Sequence, residues 1–177
     1  MKEVTNIEEV PEFKSWMTPY LFVPEGAATY KDDWVVNDFT FEEIKYKLFA
    51  KNRLESWNPH LNNMFWKMSL EEVIELQLML NKEHPQTDGW PFPTGLYIET
   101  KNVGFYKRRG IDIAGLLYEV LWKYGLHTVE GAIENGLPII IESFEEDTLK
   151  DFWFKYQSNL PLVMLMRDSL IYSFDEI

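Results

Sequence analysis

Between Leu96 and Met166 the apolar residues fall into an order that few folds accommodate. Leu96-Tyr-Ile-Glu-Thr-Lys101 reads as a strand. Residues 110–124 then place Ile113, Leu116, Leu117, Val120 and Leu121 at helical spacing, and Gly125 is positioned to end that helix in the left-handed conformation. Pro138-Ile-Ile-Ile141 is a short β-branched run of the kind found in strands buried on both faces. A helix fits 146–157, and Leu160 to Met166 is a third apolar run. Strand, helix, strand, helix, strand with short connections predicts right-handed crossovers and a parallel sheet, hence an α/β fold.

Upstream the pattern is looser. Residues 1–33 read as irregular, punctuated by Pro11, Pro19, Pro24 and Gly26, and residues 51–66 as a second irregular stretch. Thr40 and Glu43 have capping-box spacing and predict a helix over 41–49. Ser69 with Glu72 repeats that spacing and opens a helix over 70–82, whose leucines, Val73 and Ile74 cover a broad face and predict deep burial. Pro85 to Gly95 reads as a loop. The chain is therefore expected to be one domain, with an irregular segment and one helix over 1–68 leading into a β/α core over 69–177.

Composition removes several classes of function. With 46% hydrophobic and 16% aromatic residues, the 177-residue chain has material for a core and is not a disordered tail. Seventeen basic against twenty-nine acidic residues leave a net charge of −12, which repels phosphate backbones and argues against nucleic-acid binding. There is no cysteine, so disulfides, thiolate metal sites and a Cys nucleophile are excluded. No run of about 18 apolar residues predicts a membrane span, and the opening MKEVTNIEEVPEF lacks the apolar core of a signal peptide.

In parallel β/α proteins, sites form at the carboxyl ends of strands. The first strand ends in Glu99-Thr100-Lys101, and residues two apart share a face, so a carboxylate and an ammonium project together. Such a pair suits a hard divalent cation and a phosphate oxygen, or is simply a solvated charge pair. Glu142 ends the second strand after three isoleucines, where it is costly to bury unless paired, metal-bound or at a solvated mouth. Arg167 follows the third run and is placed to neutralise a glutamate or an anion. His60, His84 and His127 end no strand and have no ligand spacing to one another, so they read as structural or surface residues. No G-x-S-x-G, Walker A or H-E-x-x-H pattern occurs.

Six segments in order resemble the glycerophosphodiester phosphodiesterase family. Gly95-Leu-Tyr-Ile-Glu-Thr-Lys101 is similar to its E-x-K strand, Pro138-Ile-Ile-Ile-Glu-Ser-Phe144 to its next hydrophobic strand, and Leu160-Pro-Leu-Val-Met-Leu165 to the one after. Trp34 to Lys45, Ser69 to Ile74 and Val4 to Ile7 resemble its upstream segments. The resemblance implies a (β/α) TIM barrel that hydrolyses glycerophosphodiesters to an alcohol and glycerol phosphate with a divalent metal, Mg²⁺ or Ca²⁺. It makes Glu99 a metal ligand and Lys101 a phosphate-contacting, substrate-binding cation. Glu142, also substrate-binding, stands where the family commonly has Gln.

The family's acid and base histidines, in a His-Arg-Gly motif and a His-Asp pair, have no counterpart in these residues. A complete barrel typically takes roughly 250 residues. The resemblance thus covers the middle of a barrel, without about its first three and last two strands, and those motifs are expected upstream of Met1. The parent protein is expected to be the phosphodiesterase and this chain to be inactive alone. The alternative is a non-catalytic module that self-associates through open strand edges. A further possibility pairs Glu99 with Glu142 as acid and base of a different hydrolase.

Overall fold

The computed structural model describes residues 1–21, 30–52, 58–83 and 93–166. It divides the chain into two units, Met1–Ser69 and Leu70–Ile177.

The first unit is more ordered at its start than its prolines suggest. Tight 3-10 turns over Ile7–Glu9 and Pro11–Trp16 precede an antiparallel pair, β1 (Thr18–Leu21) and β2 (Tyr30–Asp33), with Thr18 opposite Asp33. The expectation of an irregular 1–33 is corrected for residues 1–21 and 30–33; Pro24 and Gly26 lie outside the described residues. Pro11 opens a turn, where its missing N–H costs nothing, and the turns are held by contacts distant in sequence. Phe13, Trp34, Phe39, Ile7 and Leu48 form the core. The Trp34 indole donates to the Phe13 carbonyl at 2.6 Å, and Phe13 meets Phe39 edge-to-face at 5.0 Å.

Asp33 is buried and accepts from the Met1 ammonium at 2.7 Å and from the Lys2 and Trp34 N–H groups. Burial pushes its carboxyl up; the ammonium and two amides outweigh that and hold it below its ordinary value. Helix α1 (Phe41–Lys47) carries the predicted capping box, Thr40 with Glu43. It ends two residues before the expected 49, because Leu48 turns extended and enters the core. Single bridges Thr5 to Ala50 and Phe49 to Trp66 give order to the flanks of the second stretch read as irregular.

The second unit is α/β with an open three-stranded parallel sheet. It starts with α2 (Leu70–Glu83), in which only Ile74 is fully buried while Leu76 and Met79 are exposed. The deep burial expected of this helix is therefore corrected; Leu70 and Leu78 add only partial packing. Strand β3 (Leu96–Thr100) follows, and Gly95 before it is obligatory: a Cβ there would lie 2.5 Å from the Pro138 carbonyl oxygen.

The single helix expected over 110–124 is shorter and preceded by another, α3 (Val103–Lys107). Helix α4 (Ile113–Lys123) starts at Asp112, whose carboxylate accepts the Gly115 N–H at 2.9 Å. Gly125 ends it at φ +68°, and the Leu126 N–H reaches back to the Leu121 carbonyl at 2.7 Å. A short helix α5 (Val129–Glu134), capped by Thr128, was not anticipated.

Strand β4 (Ile139–Ser143) lies between β3 and β5 (Leu162–Met164). Ile139 and Ile141 are buried, yet Ile140 is 36% exposed. The two-sided burial expected of this run is corrected, because the buried apolar residues Leu117, Leu121, Leu126, Phe152 and Leu160 pack with Ile139 and Ile141 on one side only. The helix expected over 146–157 begins as α6 (Glu146–Lys150) and widens into a π turn over Asp151–Lys155. Among the described residues no helix is long and apolar enough to cross a membrane.

The π turn is tied to the start of α4. Lys155 Nζ and the Tyr156 hydroxyl both meet Asp112 Oδ2, at 2.6 and 2.7 Å. The Lys155 ammonium leads the groups that outweigh partial burial and hold the Asp112 carboxyl down from 3.8 to about 2. A carboxyl depressed by folding stabilises above its unfolded value and loses that contribution as pH falls through its folded one. Asp112→Ala is therefore expected to cost about 1 kcal/mol at pH 7, as loss of a helix cap does. Thermal melts should show the gap to the wild type narrowing between the ordinary 3.8 and about 2. A gap that stays constant across that window refutes the linkage.

Candidate functional site

Parallel register puts two glutamates side by side. Glu99 of β3 faces Glu142 of β4, Tyr97 faces Ile140, and Glu142 in turn faces Val163 of β5. Because side chains alternate, Tyr97, Glu99, Ile140, Glu142 and Val163 share one face of the sheet. Leu96, Ile98, Thr100, Ile139, Ile141 and Ser143 share the other, which carries the unit's core. The face with the glutamates is the open one: Tyr97 is 55% exposed.

On that face each carboxylate has a protein neighbour. Lys101 Nζ lies 2.7 Å from Glu99 Oε2, and the Tyr97 phenol stands diagonal to Glu142 across the β3–β4 register. Desolvation and the Glu142 carboxylate together push the Tyr97 phenol up.

The loops beyond the strand ends are pinned to each other. Glu145, just past β4, accepts the Val103 and Gly104 N–H groups at 2.7 and 2.6 Å. Its own N–H donates to the buried Ser143 hydroxyl at 3.0 Å. Between Lys101 and that clamp, Asn102 takes a left-handed conformation with φ 56°, which asparagine tolerates better than most residues. The chain after β3 is thereby fixed close to where Lys101 leaves the sheet.

Glu99, Lys101 and Glu142, predicted from the sequence, thus come together on one face. Tyr97 and Glu145 were missed. Tyr97 could have been found, since it lies two residues before Glu99 on the same strand; nothing local points to Glu145. Arg167 and His84 lie outside the described residues. His60 sits in an exposed turn over Pro59–Leu61. His127 follows α4 and lies against Tyr118 and Trp122, with ring centroids at 5.7 and 6.4 Å.

The chain matches no family model, and no curated protein matches it. The chemistry of the site therefore rests on its own geometry. Among the described residues no three His, Asp or Glu side chains come together as a metal-holding group. Mg²⁺ and Ca²⁺ take six or more oxygens, against two carboxylates of which Glu99 is already engaged by Lys101. These two carboxylates would make up only part of the oxygen shell of such an ion. What the arrangement provides is a negative pair, one ammonium and one phenol beside an apolar floor.

Proposed function

We propose that residues 70–177 form the centre of a β/α barrel of the glycerophosphodiester phosphodiesterase type, and that this chain is inactive by itself. The observation that carries the reading is the register pair of Glu99 and Glu142, with Lys101, at the carboxyl ends of parallel strands. That is where α/β enzymes of this architecture gather their reacting groups. A closed barrel would take the open face as its interior.

In the complete enzyme Glu99 is one ligand of a divalent metal, which would polarise the phosphodiester. Lys101 contacts the phosphate, and Glu142 contacts the substrate. The acid and base histidines of the family have no counterpart here, and general acid–base groups contribute typically 10²–10⁴-fold each. The purified chain is accordingly expected to release no glycerol phosphate from glycerophosphocholine, with Mg²⁺ or with Ca²⁺. Metal-dependent hydrolysis that disappears in Glu99→Ala would defeat the inactivity claim.

One observation favours a second reading. Among the described residues β3 and β5 each pair on one side only, which leaves two open edges flanking an exposed face. Such edges accept strands from another chain. A non-catalytic module would run as a concentration-dependent oligomer in sedimentation velocity, and Pro in place of Ile98 or Val163 would abolish the association.

A further inference from the structure

We propose that Lys101 is the built-in counter-cation of the Glu99–Glu142 pair, and that it excludes divalent cations from the open face of this chain. Like charges directly opposite on neighbouring strands repel, and adjacent strands are only about 4.8 Å apart. The pair therefore needs a positive partner or a proton donor on each side. Lys101 supplies the first: its side chain is 67% exposed, while the Glu99 side chain whose Oε2 it meets at 2.7 Å is 22% exposed. The ammonium reaches from solvent onto the carboxylate of a partly buried side chain, where a counter-charge is screened less than at a fully exposed one. The Tyr97 phenol, diagonal to Glu142 across the β3–β4 register, stands on the second side.

A divalent ion arriving at Glu99 must displace the ammonium. In return it finds two carboxylates, and the six or more oxygens that it requires have no other side-chain source in a three-member acidic group among the described residues. Lys101 is covalently attached two residues from Glu99, so it competes without the entropy loss that a free ion incurs on binding. This assignment goes beyond the phosphodiesterase reading and does not depend on it. The exclusion concerns this chain as it stands; in the complete barrel of the proposed function the metal's further ligands would have to displace Lys101 from Glu99.

The test uses the full ¹⁵N-labelled chain titrated with MnCl₂, reading paramagnetic broadening of backbone amides. In the wild type, Glu99, Ile140 and Glu142 should broaden no more than other acidic surface positions. Lys101→Met should raise Mn²⁺ affinity at those three amides on the order of 10-fold or more, because a repelling charge within ion-pair distance is gone. Lys101→Arg should keep the exclusion. The exposure of Lys101 makes both variants compatible with the fold, and far-UV circular dichroism checks this. Equal Mn²⁺ binding by the wild type and Lys101→Met overturns the assignment, as does broadening in Lys101→Met that falls elsewhere. Lys101→Gln decides the matter in the same way if the Met variant misfolds. The hydrolysis assay decides the functional reading separately: Mn²⁺ seated on wild-type Glu99 without turnover sinks only the exclusion, turnover without added metal sinks only the inactivity, and metal-dependent turnover lost in Glu99→Ala sinks both.

Discussion

Phe152→Ala should lower the stability of the unit spanning residues 70–177 by about 3–5 kcal/mol, the cost of emptying a fully buried aromatic site. Phe152 is completely buried in the core beneath the sheet, although it sits in a π turn. Its carbonyl also accepts the Ser158 N–H at 3.0 Å, and its ring lies 6.2 Å from that of Tyr156. The backbone bond survives truncation; the packing does not. Domains of this kind hold only about 5–15 kcal/mol in total, so the loss is a large fraction of the whole. Urea denaturation followed by far-UV circular dichroism measures it. Phe152→Leu should cost much less, since a hydrophobic side chain still fills most of the volume. A change under about 1 kcal/mol for the alanine variant would mean that the π turn does not deliver Phe152 to the core.

Trp34→Ala should be equally damaging in the first unit, at about 3–5 kcal/mol. Two losses combine there. The indole is buried in one cluster with Phe13, Phe39 and Leu48, and its N–H satisfies the Phe13 carbonyl at 2.6 Å. Trp34→Phe separates them, because it keeps most of the apolar volume and leaves the carbonyl unpaired, at about 1–3 kcal/mol. Amide exchange across residues 1–52 reports both variants. The alanine variant should remove protection from the turns at Ile7–Glu9 and Pro11–Trp16 as well as from the β1–β2 pair. If protection persisted there, the aromatic cluster would not be what orders this segment.

Legibility from sequence followed the range of the forces involved. The Thr40–Glu43 box and the Gly125 helix end were readable because each is closed by hydrogen bonds within a few residues. The three parallel strands were readable from short apolar runs spaced by helical periodicity. The turns before Trp16 were not, since 3-10 segments are too short to show a period and theirs is held by Trp34 and Phe39. Burial of β4 on one face alone was equally hidden: three consecutive isoleucines look the same whether helices cover one face or both.

The candidate site divides along the same line. Placing Glu99 and Lys101 on one face needs only the two-residue period of a strand, which is a covalent property of the backbone. The local residues also settled that Glu142 ends a strand and that no histidine stands beside it. That Glu99 and Glu142 are neighbours depends on the register of β3 against β4, and register is set by which side chains the core accepts. The placing of Tyr97 diagonal to Glu142 and the Glu145 clamp on Val103 and Gly104 follow from that register and from the loops it brings together. Short-range geometry is written into adjacent residues, whereas contacts between segments some forty residues apart exist only once the shared core has chosen how those segments align.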